Sequence, residues 1–276
     1  MNFTRRLRAI QRKNRSLVCV GLDSDPAQLP VSLRGTPDAV VEFNRRIIEA
    51  TKDLVCAYKV NLAFTESLGE DAWPVLQRTL RCIPGEIITI GDAKRGDIGN
   101  SSAMYAKVLL ELHRFDATTV SPYMGFDSVA PFLARPDRGA FILAVTSNPG
   151  ARDFQYLTVR GHPLYETVVR TVRTWNTKKN CGLVVGATRP KELQRVRALA
   201  PDLPLLIPGI GAQGGDLESA VRYGCDRRGE LAVINASRSV LYASQGDDFA
   251  AAARAGALTL KDENNRYRRE FFRKRL

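Results

Sequence analysis

Eight short apolar runs, separated by stretches of helical period, constrain the fold of this chain more than any other feature. They occupy residues 17–22, 54–60, 87–90, 117–120, 141–145, 183–185, 205–207 and 231–234. Their hydrophobicity is near-continuous rather than alternating, as in parallel strands covered on both faces. Between them, residues 38–50, 101–113, 163–176, 190–199 and 215–223 read as helices. In one of these, Met104, Val108 and Leu112 recur every fourth residue as an apolar stripe, and Asn100 or Ser101 can cap its start. Eight strands alternating with helices predict the α/β class and a single (β/α)8 TIM barrel over residues 1–276. A doubly wound open sheet would want Gly-x-Gly-x-x-Gly after its first strand, and Gly21-Leu22-Asp23-Ser24-Asp25-Pro26 does not supply it. No linker or internal repeat divides the chain, and residues 150–161 read as a longer loop.

Composition excludes several classes of protein. A hydrophobic fraction of 44% and a charged fraction of 25% are ordinary for a globular domain. No run approaches the roughly 18 apolar residues of a membrane span. The basic N-terminus has no apolar segment behind it, so no secretory signal is read and a cytoplasmic location is expected. The five cysteines show no Cys-x-x-Cys, and Cys19, Cys56 and Cys181 read as small core residues. His113 and His162 are too few and too isolated for a metal cluster, so no metal is expected. The net charge of +12 points to anionic partners, either nucleic acid or phosphorylated small molecules. Part of that charge sits in the C-terminal segment, where arginines mix with Tyr267, Phe271 and Phe272. Such aromatics could stack on bases. Without a zinc-finger or RNA-binding signature, the segment reads instead as a solvated, basic terminal helix anchored by Phe271 and Phe272, and no nucleic-acid partner is expected.

Barrel enzymes place their chemistry at the carboxyl ends of their strands, and polar groups gather there in this chain. The first run ends in Asp23, and the second carries Lys59 with Asn61 two residues on. The third leads through Gly91 into Asp92, Lys94 and Asp97. On an extended backbone Asp92 and Lys94 share a side, and Gly96 permits a turn before Asp97. Two carboxylates around an ammonium at a strand end are costly to assemble and seldom needed by a fold. The fifth run ends in Thr146-Ser147-Asn148, the seventh in Pro208-Gly209-Ile210-Gly211-Ala212-Gln213-Gly214-Gly215, and the eighth in Asn235-Ala236-Ser237-Arg238. The Gly-rich turn exposes amides before a helix expected near Gly215, and Arg238 adds a guanidinium fork; together they predict an anion site.

Four segments carry a resemblance to a family. Asp-Ala-Lys-Arg-Gly-Asp-Ile-Gly at 92–99, Tyr-Lys-Val-Asn at 58–61, Thr-Ser-Asn-Pro-Gly at 146–150 and Pro-Gly-Ile-Gly-Ala-Gln-Gly-Gly at 208–215 closely resemble the signatures of orotidine 5′-phosphate decarboxylases, in order, and look like the longer bacterial branch. The resemblance implies a cofactor-free and metal-free decarboxylation of orotidine 5′-phosphate to UMP. It implies a charged tetrad of Lys59, Asp92, Lys94 and Asp97, with Lys94 donating the proton to C6. Asp23 and Lys59 would hold the ribose hydroxyls, and Ser147 the pyrimidine. Gln213 and Arg238 would hold the phosphate with amides near Gly209 and Gly211. Ile98, Ser101, Pro208 and Ser237 complete the implied substrate contacts. Asp97 and Ile98 would reach the neighbouring site of a homodimer. The nearest rival is a related barrel that acts on sugar phosphates with Mg²⁺ through the same Asp-x-Lys-x-x-Asp core; those chains are typically shorter and lack the Ser-Asn-Pro-Gly segment.

Overall fold

The computed structural model describes residues 1–35, 38–211 and 215–272. Its barrel strands are β1 (Val18–Gly21), β2 (Ala57–Asn61), β3 (Ile88–Arg95), β4 (Ala117–Val120), β5 (Gly139–Val145), β8 (Cys181–Val185), β9 (Leu205–Pro208) and β10 (Ala232–Ala236). Between β5 and β8 lies a separate antiparallel pair, β6 (Thr158–Val159) and β7 (His162–Pro163). The eight barrel strands close in the order β1-β10-β9-β8-β5-β4-β3-β2, every pairing parallel. Each predicted run contributes one of them.

The amino end of the barrel is sealed, which leaves the carboxyl end for chemistry. The helix Phe3–Lys13 starts with Asn2 accepting a hydrogen bond from the Arg5 N–H. It drives the fully buried Phe3 edge-on against Phe141, with ring centroids 5.8 Å apart. Gly139 permits this, because a Cβ there would lie 2.5 Å from the Phe3 ring. At the other end of the chain, the helix Phe249–Phe272 buries Phe249, Ala253, Ala257, Leu260, Asn264 and Arg268, a stripe of helical period. It packs against the helix Ala39–Thr51, where Phe249 stacks on Phe43 at 5.0 Å. Phe272 lies beside Gly229, while Phe271 stacks on Tyr267. Cys19, Cys56 and Cys181 are buried as read from sequence, and Cys225 joins them. Among the described residues no helix is long and apolar enough to cross a membrane.

Several local expectations are corrected. The stripe Met104–Val108–Leu112 does not face the core: Met104 and Leu112 are 60% and 61% exposed, and the segment buries Ser102, Ala106, Leu109 and Leu110 instead. The α-helix runs only over Gly99–Ala106 before widening into a π-helix over Lys107–Leu112, which shifts the inward face off the 3.6-residue period. Neither Asn100 nor Ser101 caps it. The N-cap is Ile98, and the Asn100 side chain accepts only from the N–H of Ser101, already inside the first turn. Residues 150–161 hold structure: the helix Ala151–Phe154, β6 and the turn into β7. The helix expected near Gly215 begins at Leu217. Its Asp216 cap accepts from the Ser219 N–H, so its start is not a row of bare amides.

Candidate active site

The third strand builds the centre of the site by departing from regularity. The β3–β4 register moves from Gly91↔Thr118 to Arg95↔Val120, so four steps along β3 (91 to 95) match two along β4 (118 to 120). The surplus is a bulge, the device by which sheets re-aim side chains. It contains Asp92 and Lys94, and Lys94 sits at φ 48°. This region is uncommon for a residue with a Cβ and costs on the order of 1–3 kcal/mol. The left-handed residue thus falls within β3 at Lys94, and Gly96 opens the connection from the end of β3 at Arg95 to the helix that starts at Gly99. The role of Gly96 is room, since a Cβ there would meet Ser121 at 3.3 Å. Gly91 likewise makes way for the Phe115 ring, 2.9 Å from where its Cβ would stand.

From this bulge an alternating row of charges crosses the mouth of the barrel. Lys94 Nζ donates to Asp92 Oδ1 at 2.7 Å, and Lys59 Nζ lies 3.2 Å from Asp92 Oδ2 and 3.3 Å from Asp23 Oδ1. Asp23 is steadied by the Asn61 N–H at 3.3 Å and, through its backbone carbonyl, by the Tyr242 hydroxyl. Lys59 is only 3% exposed. Burial pulls its ammonium pKa down, but the fields of Asp23 and Asp92 outweigh burial and leave it above the ordinary lysine value. Burial likewise opposes charge on Asp92. The nearby Lys59 and Lys94, with hydrogen bonds from Lys94 and Thr119, prevail and hold its carboxyl below the usual range.

The expected tetrad is three-quarters assembled within one chain. Lys59, Asp92 and Lys94 are joined as described, and Asp23 extends the row. Asp97 stands apart: its N–H donates to Ser128 Oγ at 3.1 Å, its Oδ1 accepts from the Ile98 N–H, and it forms no ion pair among the described residues. Within one chain the lysine held between two carboxylates is Lys59, and Lys94 meets Asp92 alone.

Beside the row opens a cleft of about 310 Å³ whose lining brings together the candidate residues Asp23, Lys59, Asp92, Pro208, Gly209, Ser237 and Arg238. Gly209 adopts φ 105° and Gly211 φ 84°, conformations that turn the backbone after β9. Gly21 leaves space for Ser237, whose Oγ would lie 2.0 Å from a Cβ there. Lys94, Asp97, Ile98, Ser101, Ser147 and Gly211 do not line the cleft; Lys94 reaches it only through its bond to Asp92. Ile98 is 57% exposed, and Ser147 follows β5 against Gly186. Gln213 lies outside the described residues. The wall also includes Phe64, Asn235 and Tyr242. Sequence gave Asn235 only as part of a strand end, and no motif marked Tyr242. Thr119 was missed altogether, because it sits inside a run read as a buried strand, where nothing along the segment shows what its hydroxyl will meet.

Fold and site together define a β/α-barrel with an alternating carboxylate–ammonium row at the carboxyl ends of its strands and an arginine across the cleft. The chain belongs to the orotidine 5′-phosphate decarboxylase / HUMPS family, whose model matches residues 16–255. It is 49% identical over 275 residues to orotidine 5′-phosphate decarboxylase from Dehalococcoides mccartyi, covering 98% of this chain and 100% of that one. It is 52% identical over 270 residues to the protein of that name from Cupriavidus necator, covering 97% and 99%. Among solved structures it superimposes on OMP decarboxylase of Leishmania donovani with a TM-score of 0.86 at 39% identity, over 97% of this chain and 99% of that one.

Proposed function

We propose that this chain is an orotidine 5′-phosphate decarboxylase, a carboxy-lyase producing UMP and CO₂, with Lys94 as the proton donor. The observation that carries this reading is the row Asp23–Lys59–Asp92–Lys94, fixed at the barrel mouth beside Arg238. Breaking the C6–carboxylate bond releases CO₂ and leaves the electron pair on C6, with no adjacent sink. Preorganised positive charge is the remedy such a step needs, and the Lys94 ammonium supplies both the charge and the proton that neutralises C6. Asp92 holds Lys94 and Lys59 in place. Asp23 and Lys59 bind the ribose hydroxyls, and Ser147 the pyrimidine. Arg238 and Gln213 take the phosphate with amides near Gly209 and Gly211, while Ile98, Ser101, Pro208 and Ser237 supply further contacts. Binding energy at the phosphate, remote from C6, helps organise the reacting end.

The enzyme acts as a homodimer, with Asp97 and Ile98 completing the partner's site. Two observations support this: Asp97 is unpaired by any cation of its own chain among the described residues, and Ile98, Met104, Tyr123, Met124 and Phe126 are exposed around it in sequence and fold. Asp97 then lies near the substrate carboxylate and disfavours the ground state. The setting is cytoplasmic, with no nucleic-acid partner.

The deciding assay is loss of ultraviolet absorbance from orotidine 5′-phosphate in the presence of EDTA. No loss, or loss only when Mg²⁺ is restored, would favour the sugar-phosphate branch instead. Lys94→Ala should lower kcat by about 10²–10⁴-fold or more, the weight of a positioned general acid, with its unfolding midpoint retained. Mixing inactive Lys94→Ala and Asp97→Ala proteins should restore activity through hybrid dimers; no recovery after verified subunit exchange rules out a shared site.

A further inference from the structure

We infer that Thr119, on β4, is a positioning residue for the decarboxylation: its hydroxyl holds the β3 bulge in the shape that presents Lys94 and orients Asp92. The inference rests on the functional reading above. Thr119 is 1% exposed, and its Oγ1 makes two hydrogen bonds of 2.9 Å, one with the Lys94 N–H and one with Asp92 Oδ1. Their polarity is determined. A backbone N–H can only donate and an ionised carboxylate can only accept, so the hydroxyl accepts from Lys94 and gives its single proton to Asp92.

The bulge explains why a side chain is needed there. Between Gly91↔Thr118 and Arg95↔Val120 the backbone ladder is interrupted, and Lys94 has no register partner on β4. The Thr119 hydroxyl takes the place of that missing ladder partner. It does so at the one residue of β3 held in the left-handed region, φ 48° at Lys94, a conformation that persists only where its surroundings over-determine it. The second bond fixes the carboxylate to which Lys94 Nζ is tied at 2.7 Å. One hydroxyl thus constrains the ammonium from both ends, through its backbone and through its counter-ion. Neighbouring Thr118 spends its hydroxyl on the Gly91 carbonyl, so it cannot substitute.

The test compares Thr119→Val with Thr119→Ser in the full-length enzyme. Valine keeps the β-branched shape and removes the hydroxyl; serine keeps the hydroxyl. Thr119→Val should lower kcat by about ten- to a hundred-fold, the scale of a misplacement of about 1 Å at a reacting group, while KM changes less than about threefold. Its acid limb in kcat should move to higher pH, because Asp92 loses a hydrogen bond that favours its charged form. Thr119→Ser should recover most of kcat and the original limb. A Thr119→Val enzyme with kcat within about twofold of wild type and an unmoved limb overturns the inference. So does a loss of kcat that tracks the loss of folded protein and is not rescued by serine. Wild type and Lys94→Ala, assayed alongside, keep the two readings apart: an inactive wild type or an active Lys94→Ala condemns the functional reading, whereas Thr119 is judged only against an active wild type.

Discussion

Lys59 and Asp92 hold opposite charges in the same buried spot, and each keeps the other ionised. The consequences for pH follow from the direction of each shift. Asp92 has its pKa lowered, so its contribution to stability is present above the unfolded carboxyl value of about 3.9 and is lost as pH falls through its lower folded value. Lys59 has its pKa raised, so its contribution is present below the unfolded lysine value of about 10.4 and is lost as pH rises through its higher folded value. Between those limits neither group titrates, and the unfolding free energy should show no step assignable to them. Asp92→Asn removes one of the two fields that keep Lys59 charged. In that variant the alkaline loss of stability should be smaller and be complete at lower pH, as urea titrations across the range would read. An alkaline edge in the same place as wild type would show that Asp23 alone sustains the Lys59 charge.

At the scale of elements, the barrel is asymmetric along its axis: sealed by a helix at the amino end, open and polar at the carboxyl end. The seal depends on contact between Gly139 at the start of β5 and the Phe3 ring. Gly139→Ala should therefore lower stability by about 1–3 kcal/mol, as overpacking does, and leave the turnover of the folded fraction intact because the cleft is at the other end. Gly85→Ala, where an added Cβ meets nothing within 4 Å, is the matched control and should stay within about 0.5 kcal/mol. Equal urea midpoints for the two variants would mean that the Phe3 helix lifts without cost. The bulge in β3 is the element-level counterpart at the open end. A regular strand would carry Lys94 along the ladder, and the irregular one turns it back onto Asp92.

At the scale of the whole molecule, exposed Ile98, Met104 and Tyr123 follow the ends of β3 and β4 and are 57%, 60% and 83% exposed. The apolar stripe read from sequence at Met104 and Leu112 is in part this surface. If it is the dimer face, Met104→Glu combined with Tyr123→Glu should give monomers by sedimentation and lose activity with the partner's Asp97. A wild-type enzyme that is monomeric and fully active at nanomolar concentration would separate assembly from catalysis.

The sequence by itself determined the barrel, because a strand buried on both faces must be apolar throughout and eight such runs leave few alternatives. Charge and glycine at strand ends, which have little structural use, singled out Asp23, Lys59, Asp92, Gly209 and Arg238, and the family resemblance added Pro208 and Ser237; the fold brings all seven to one cleft. Lys94, Asp97, Ile98, Ser101, Ser147 and Gly211 were equally legible as letters, but the fold does not bring them to the wall of that cleft. Tertiary structure decided what periodicity could not express. The fold left Met104 and Leu112 exposed on a helix that breaks its period over Lys107–Leu112, a bulge put left-handed backbone at Lys94, and a buried hydroxyl in an apolar run became the partner of Lys94 and Asp92. Each is a contact between segments distant in sequence or a break in period, and a pattern read along one segment carries no information about the segment it will meet.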